Sequence, residues 1–129
     1  MNGIFNNLSG TVNAPISRKE GSIIERCIHP EGDLAITHYN VLKSNSNISV
    51  VRLILETGRT HQIRVHMAHL GHPIIGDSLY GTTSNLINRQ ALHSSSVTFY
   101  HPVTKEKINL VAPLFEDMNT IISSIWKNR

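Results

Sequence analysis

The sequence predicts an α+β domain: a mainly antiparallel mixed sheet with a short central helix and a C-terminal helix. Three observations indicate this fold class. Residues 22–56 contain three strand-like runs separated by short polar turns. In residues 59–71 the apolar residues recur at helical spacing instead, and residues 114–129 have the pattern of an amphipathic helix. At 129 residues, the chain fits one domain.

The strands are predicted to begin after a lead-in that is irregular or weakly extended. Residues 1–22 are rich in Asn, Gly and Ser, and Pro15 interrupts any period. Three strands are then predicted over residues 22–29, 34–44 and 48–56, with "HPEGD" and "SNSN" as the turns between them. The third run, "ISVVRLILE", is apolar on both faces, which is typical of a central strand. Short turns between consecutive strands favour an antiparallel meander.

A short central helix is predicted after the third strand. Ile63, Met67 and Leu70 recur at positions i, i+4 and i+7, which places them on one helical face. Thr60 is in position to cap the start of this helix, and Gly71 is expected to end it.

The rest of the chain is predicted to form a loop, two strands and a terminal helix. The loop "GHPIIGDSLYG" contains two glycine breaks, and residues 91–102 and 105–113 have strand composition around a "HPVT" turn. The terminal helix over residues 114–129 is expected to bury one apolar side, formed by Phe115, Met118, Ile121, Ile122 and Ile125.

Composition limits the classes of function. The formal net charge of +3 and the isoelectric point near 9.3 permit an anionic partner without requiring one. The single cysteine, Cys27, excludes an internal disulfide framework and a multi-cysteine zinc site, and it suits a reducing cytoplasm. We expect a cytoplasmic protein, since the sequence has no run of 18 apolar residues and no secretory signal at its start.

Charged and histidine side chains are most concentrated in "LETGRTHQIRVHMAHLGHPIIGDSLYG", residues 55–81. Arg59 follows a glycine at the junction between strand and helix, and Arg64 lies within the helix. A guanidinium near a helix N-terminus is well placed to bind a phosphate or a carboxylate, although two solvated surface arginines are the alternative. Three polar neighbours favour a functional site: His61, Gln62 and His66. We expect the arginines and nearby histidines to form a positive concavity.

Other interpretations of this stretch concern metals and the loop. His66, His69 and His72 are spaced by three, so a transition-metal site is one hypothesis, but His72 lies beyond the helix and hydrogen-bonding histidines are favoured. We interpret Asp77 as organising its loop by accepting backbone N–H bonds, with a general base as the alternative. Tyr80 is assigned to the core, with stacking on a nucleic-acid base as the alternative.

The stretch at residues 55–81 closely resembles a signature motif that lies late in the sequence of the RluA/RluD-type pseudouridine synthases. "SGTVNAPISR" (9–18) and "GDLAITHYNVL" (32–42) resemble the segments that precede it in that family, and "ALHSSSVTFYHPVTKEKINLVAPLFEDM" (91–118) resembles the segment that follows. The resemblance covers nearly the whole chain, and its central motif is long and specific.

This resemblance implies an activity and a set of roles. The family isomerises uridine to pseudouridine in ribosomal or transfer RNA and needs no metal or organic cofactor. Its catalytic aspartate lies in an Arg-Leu-Asp motif, and by position Arg64 resembles the supporting arginine that pairs with that aspartate. The resemblance also implies an RNA-binding groove bordered by four residues of this stretch: Arg59, His61, Gln62 and His66.

The sequence departs from the family pattern in one decisive respect. The 129 residues contain no Arg-Leu-Asp, and neither Asp33 nor Asp77 matches the catalytic position. The chain is therefore expected to be a partial domain, the C-terminal segment of a pseudouridine synthase catalytic domain, inactive alone. A non-catalytic RNA-binding module is the alternative, and a metal enzyme built on the histidines is a third. An exposed sheet edge would also favour association with a second copy.

Overall fold

The computed structural model describes residues 1–127 and confirms the α+β prediction, with small antiparallel sheets and two helices in that part of the chain. The strands are β1 (Ser9–Asn13), β2 (Ile16–Arg18), β3 (Arg26–Ile28), β4 (Ile36–Ser44), β5 (Ser49–Leu55), β6 (Ser96–Tyr100) and β7 (Lys107–Val111). The helices are α1 (Gln62–His69) and α2 (Glu116–Lys127). Within these residues the sheets have the strand orders β1-β4-β5, β2-β3 and β6-β7. No helix of the described chain is long and apolar enough to cross a membrane.

The irregular lead-in predicted for residues 1–22 is wrong over β1 and β2. β1 pairs with β4 in an antiparallel register that sets Ser9 opposite Asn40 and Val12 opposite Thr37. Val12 packs into the core, while the residues on either side of it are exposed. This strand depends on a partner far along the chain, so its weak local propensity did not reveal it.

The predicted meander is confirmed only between its second and third strands, β4 and β5, and the third strand is not central. β4 lies in the middle of its sheet, β5 lies at one edge, and β3 pairs with β2 instead of β4. The two apolar faces of β5 have different surroundings. Val51 and Leu53 pack against the core, whereas Ile54 is 55% exposed on the other face. An apolar run on both faces therefore did not identify a central strand here.

Helix α1 packs against the core as its period predicted. Met67 is fully buried, and Ile63 and Leu70 are partly buried against the same cluster. Gly71 adopts a left-handed φ of 85° after the last turn, which confirms the predicted end of the helix. The predicted cap is wrong: His61 occupies the N-cap position with a φ of 56°, and this helix start has no side-chain cap bond.

The predicted strands and helix of the C-terminal part are confirmed, but one predicted buried residue is exposed. Ile125 is buried, and Met118, Ile121 and Ile122 are partly buried. Phe115 is 65% exposed and precedes α2, where it contacts the ring of His93 and the guanidinium of Arg89. Residues 128 and 129 lie outside the described residues.

Candidate functional site

The centre of the candidate site is a buried ion pair between helix α1 and the loop that follows it. Arg64 donates from Nε to Oδ2 of Asp77 at 2.9 Å and from Nη2 to Oδ1 at 2.8 Å. The side chain of Asp77 is fully buried and that of Arg64 is 16% exposed. The guanidinium also lies 5.1 Å from the centre of the Tyr80 ring. Two parallel bonds and a flanking ring hold this arginine in one orientation.

Asp77 is held as a carboxylate by several donors. Its Oδ1 also accepts the backbone N–H groups of Leu79 and Tyr80, at 3.2 Å and 3.3 Å, so the interpretation that it organises the loop is confirmed. Burial by itself would raise the pKa of Asp77, but the bonds from Arg64 and from these amides outweigh it and lower that pKa below 3.8. The side-chain hydrogen bond to Asp77 raises the pKa of Arg64, against the opposing effect of burial.

This pairing corrects one expectation for Arg64. Its guanidinium is not an open anion site, because an internal carboxylate already occupies one edge of it. A guanidinium has five N–H donors, and the fork to Asp77 uses Nε and Nη2. Within the described chain Nη1 makes no hydrogen bond, so another edge of Arg64 stays available to a second acceptor.

His66 is buried inside the fold, where the sequence predicted an RNA contact. Its side chain is fully buried, Nε2 lies 2.9 Å from the carbonyl oxygen of Ala14, and Nδ1 lies 2.8 Å from Oγ1 of Thr37. A carbonyl only accepts, so Nε2 carries the proton and Nδ1 accepts from the hydroxyl. Burial lowers the pKa of His66, with the Ala14 bond opposing. The prediction fails because the ring bridges α1 to β4 and the segment before β2.

Gln62 is buried for the same reason. It is 3% exposed, and its amide donates from Nε2 to the carbonyl oxygen of Ile36 and to Oγ1 of Thr37. Its Oε1 accepts from the Thr57 hydroxyl and from the backbone N–H of Arg59. Both polar atoms of this side chain are therefore used to fix the start of α1 against β4. The amide is used inside the fold and is not directed at a ligand.

His61 lies at the start of α1, partly exposed. Its Nδ1 lies 2.7 Å from the hydroxyl of Tyr80, whose oxygen also accepts the backbone N–H of Arg26 at 2.9 Å. Burial and then the charges of Arg64 and Arg26 lower the pKa of His61, against the opposing charge of Asp77. The imidazole is therefore held in its neutral form near neutral pH.

Three arginines surround an open depression of about 340 Å³ beside this end of α1. Arg18, Arg26 and Arg59 line it together with Asp33 and Thr60. The Nε of Arg59 donates to the carbonyl oxygen of Leu34 at 2.8 Å, which orients the side chain while leaving it exposed. The predicted positive concavity is thus present in part: Arg59 belongs to it, whereas Arg64 and the nearby histidines do not line it.

Sequence reasoning missed Arg18 and Arg26 as members of the site. They are direct partners in the β2-β3 pairing, which brings them together across two strands. Arg18 lies in the segment that was predicted to be irregular, so its face could not be assigned. A charged residue in each of two short antiparallel runs was the only signal, and it did not reveal the pairing.

The histidines of the metal hypothesis lie in different surroundings. His66 is buried and His69 is exposed, whereas Nδ1 of His72 donates to the backbone oxygen of Asn2 at 2.9 Å. The His72 ring also stacks on Phe5 at 4.1 Å between centroids. Among residues 1–127, no group of three or more His, Cys, Asp or Glu side chains is arranged to hold a metal ion.

Comparisons with known proteins identify the family. The family model described as RNA pseudouridylate synthase matches residues 4–69. The uncharacterized RNA pseudouridine synthase YjbO of Bacillus subtilis is 52% identical over 122 residues, which are 95% of this chain and 43% of that protein. The ribosomal large subunit pseudouridine synthase D of Salmonella typhimurium is 41% identical over 130 residues, with 90% of this chain and 40% of that protein covered.

A solved structure has the same fold. The human RNA pseudouridylate synthase domain containing 1 superposes with a TM-score of 0.74 at 24% identity, over 96% of this chain and 62% of that one. The fold is therefore one that a solved pseudouridylate synthase domain also has. The chain belongs to the RNA pseudouridylate synthase family, of the RluA/RluD type. It spans about two fifths of the length of the curated relatives it matches.

Proposed function

We propose that this chain is part of an RNA pseudouridine synthase that isomerises uridine in ribosomal or transfer RNA. The observation that carries the proposal is the buried fork that orients Arg64, the residue that by its resemblance to the family motif would be the supporting arginine. The relative from Salmonella typhimurium is named for the large ribosomal subunit, which supports ribosomal RNA as the substrate class. The cytoplasm is the proposed location, because the free thiol of Cys27 stays reduced there.

Arg64 is proposed to serve two carboxylates in the assembled enzyme. Asp77 holds it through Nε and Nη2, and Nη1 remains for the catalytic aspartate that the family resemblance implies. An arginine beside that aspartate would keep its carboxylate ionised and would orient it toward the sugar of the target uridine. The 129 residues contain no Arg-Leu-Asp, so we propose that the chain alone binds RNA without turning it over.

The second candidate function is a non-catalytic RNA-binding module. The depression lined by Arg18, Arg26 and Arg59 favours it, because this feature needs no catalytic aspartate. Arginine side chains that line a concave surface neutralise phosphates and release counterions from RNA. Both candidates therefore share one expectation, salt-dependent RNA binding, and only turnover separates them.

RNA binding is expected to depend on the arginines of the depression. A double Arg18→Gln, Arg59→Gln variant should bind a structured, uridine-containing RNA more weakly. The slope of log affinity against log salt should also become shallower, by roughly 0.7 to 0.9 for each phosphate that the variant no longer neutralises. Fluorescence anisotropy across a salt series measures both quantities.

The matched control is Arg52→Gln, since Arg52 is exposed on β5 and does not line the depression. It should leave affinity and slope nearly unchanged. Binding by the unmodified chain that does not vary with salt, or equal losses of affinity in the control and the double variant, would contradict the proposed interface.

We also propose that the isolated chain self-associates through its exposed sheet edges. β5 is an edge strand of its described sheet, and Ile54 on it is 55% exposed. In the β6-β7 hairpin, Val97 and Val111 are 50% and 74% exposed. Unpaired edges and exposed apolar side chains favour association. Sedimentation velocity should show larger species as concentration rises, and Ile54→Lys should reduce them; a clean monomer at high concentration would refute this.

A further inference from the structure

We infer that the turn at residues 77–80 is a positioning element for helix α1. It fixes the guanidinium of Arg64 and holds His61 in one neutral tautomer, whose Nε2–H is free to donate to an acceptor oxygen of the bound RNA. The role of His61 toward RNA rests on the proposed function. The tautomer rests only on contacts within the chain.

The turn is itself rigidly held. Asp77 accepts the amides of Leu79 and Tyr80 at Oδ1, and its backbone oxygen accepts the amide of Gly81 at 2.9 Å. The same carboxylate binds Arg64 through both of its oxygens. One fully buried side chain thus sets the path of the turn and the orientation of the arginine together.

The Tyr80 hydroxyl determines which nitrogen of His61 carries the proton. Its oxygen already accepts the Arg26 amide, and among the described residues its one hydrogen has no acceptor other than Nδ1 of His61, at 2.7 Å. With the hydroxyl as donor, Nδ1 accepts and the proton of the neutral ring lies on Nε2. Among the described residues Nε2 has no partner, so its N–H is open to a ligand.

The surroundings favour a neutral donor at this place. Arg26 on β3 and Arg64 on α1 face the imidazole with positive charge, and Asp77, already paired with Arg64, opposes them only in part. His61 also holds a φ of 56°, a left-handed conformation that is uncommon for non-glycine residues but that histidine adopts more often than most. Thr60, the residue before His61, lines the depression that Arg18, Arg26 and Arg59 form. Arg26, whose backbone N–H donates to the Tyr80 hydroxyl, lines it as well. Phosphate or uracil oxygens bound there would be within the reach of this end of α1.

The tautomer can be tested on the chain without RNA. In nitrogen-15 spectra of the unmodified protein, His61 should show a single neutral tautomer with the proton on Nε2 and a titration midpoint below 6.5. Tyr80→Phe removes the donor to Nδ1, so the second tautomer should become populated and the midpoint should rise. Tyr100→Phe, at a 68% exposed tyrosine, should change neither.

Two results would overturn this inference. One is a proton on Nδ1 of His61 in the unmodified chain, which needs no variant to observe. The other is a folded Tyr80→Phe protein whose His61 nitrogen shifts and midpoint equal those of the unmodified chain.

RNA binding tests the ligand separately. His61→Leu should weaken affinity about tenfold, the usual scale for a hydrogen bond to a charged or strong acceptor. His61→Gln, whose amide can place a donor near the same point, should recover most of the affinity. The acceptor is identified by comparing RNA that contains the target uracil with RNA that lacks this base. If His61→Leu weakens binding to both RNAs equally, the acceptor is a phosphate oxygen. If it weakens binding only when the base is present, the acceptor is a uracil carbonyl.

The two proposals fail in different ways. If the unmodified chain binds no RNA, the proposed function fails and the spectra still decide the role of the turn. If the unmodified chain binds RNA and His61→Leu binds it equally well, the role of His61 is wrong while the proposed function stands.

Discussion

Replacing Arg64 with alanine is expected to destabilise the chain by about 3–5 kcal/mol, the usual cost of leaving one member of a buried ion pair without its partner. Asp77 is fully buried, and the amides of Leu79 and Tyr80 satisfy only part of its charge. Urea unfolding at neutral pH measures the loss as a lower midpoint. Arg64→Lys should recover only part of the stability, since an ammonium group does not reproduce the two-bond fork.

The chain contains its own control for this prediction. Arg89 and Asp117 form a fork of the same geometry, with Nε and Nη2 each 3.0 Å from a carboxylate oxygen, but their side chains are 34% and 37% exposed. Solvent screens such a pair, so Asp117→Asn should lower the unfolding midpoint far less. Equal losses of stability for the buried and exposed pairs would show that burial of Asp77 is not the source of the effect.

A double variant separates charge from shape. Asp77→Asn retains an oxygen for the amides of the turn and removes the negative charge. Added to Arg64→Ala, it should restore part of the lost stability, because an uncharged amide costs less to bury than an unpaired carboxylate. A double variant no more stable than Arg64→Ala alone would contradict this account.

The same ion pair predicts a pH dependence. The pKa of Asp77 is lowered in the folded chain, so the stability it contributes is present above the unfolded value near 3.8 and is lost as pH falls through the lower folded value. Removing Arg64 leaves burial as the dominant effect and should raise that pKa. Acid unfolding of Arg64→Ala should therefore begin at a higher pH than in the unmodified chain.

Helix α1 shows how far the sequence could be interpreted. Its apolar period, its end at Gly71 and the importance of Arg64 could be predicted, because a helix and a motif are local in sequence. The buried roles of Gln62 and His66 could not. They lie four residues apart on one side of the helix, and that side is an interior one because Thr37 and the backbone of Ile36 and Ala14 lie against it.

Long-range pairing explains the other differences. β1 exists because β4 lies beside it, and Arg18 reaches the depression because β2 pairs with β3. The fork between Arg64 and Asp77 joins a helix to a loop 13 residues further along the chain. The family resemblance assigned Arg64 a carboxylate partner, but it offered no reason to expect a second one within this chain.

The 129-residue chain alone is expected to have no pseudouridine synthase activity, and adding the part of a relative that it does not match is expected to create activity. YjbO is a suitable donor, since the chain is 52% identical to it over 122 residues that make up 43% of that protein. The mixture should modify RNA, whereas neither component should do so alone. Release of tritium from RNA labelled at carbon-5 of uridine measures turnover.

The chemical reason lies in the absent aspartate. The chain has an oriented arginine and a basic depression that we propose binds RNA, but binding the ground state and the transition state equally well accelerates nothing. In the mixture, changing the aspartate of the Arg-Leu-Asp motif that the family resemblance implies for the added part to asparagine should abolish turnover. Arg64→Lys in the chain should reduce turnover while RNA binding is largely kept, because a lysine cannot serve two carboxylates with the same geometry.

Turnover by the chain alone would overturn this prediction and would make Asp77 the candidate catalytic group. The structure makes catalysis by Asp77 difficult. Asp77 is fully buried, both of its oxygens are bound to Arg64, and its lowered pKa makes it a weak base. It would reach a uridine only if the fork opened, at a cost of the same order as the about 3–5 kcal/mol expected for Arg64→Ala. Activity of the isolated chain should then rise when the fork is weakened, so Arg64→Ala would be more active than the unmodified chain, the reverse of what a supporting arginine requires.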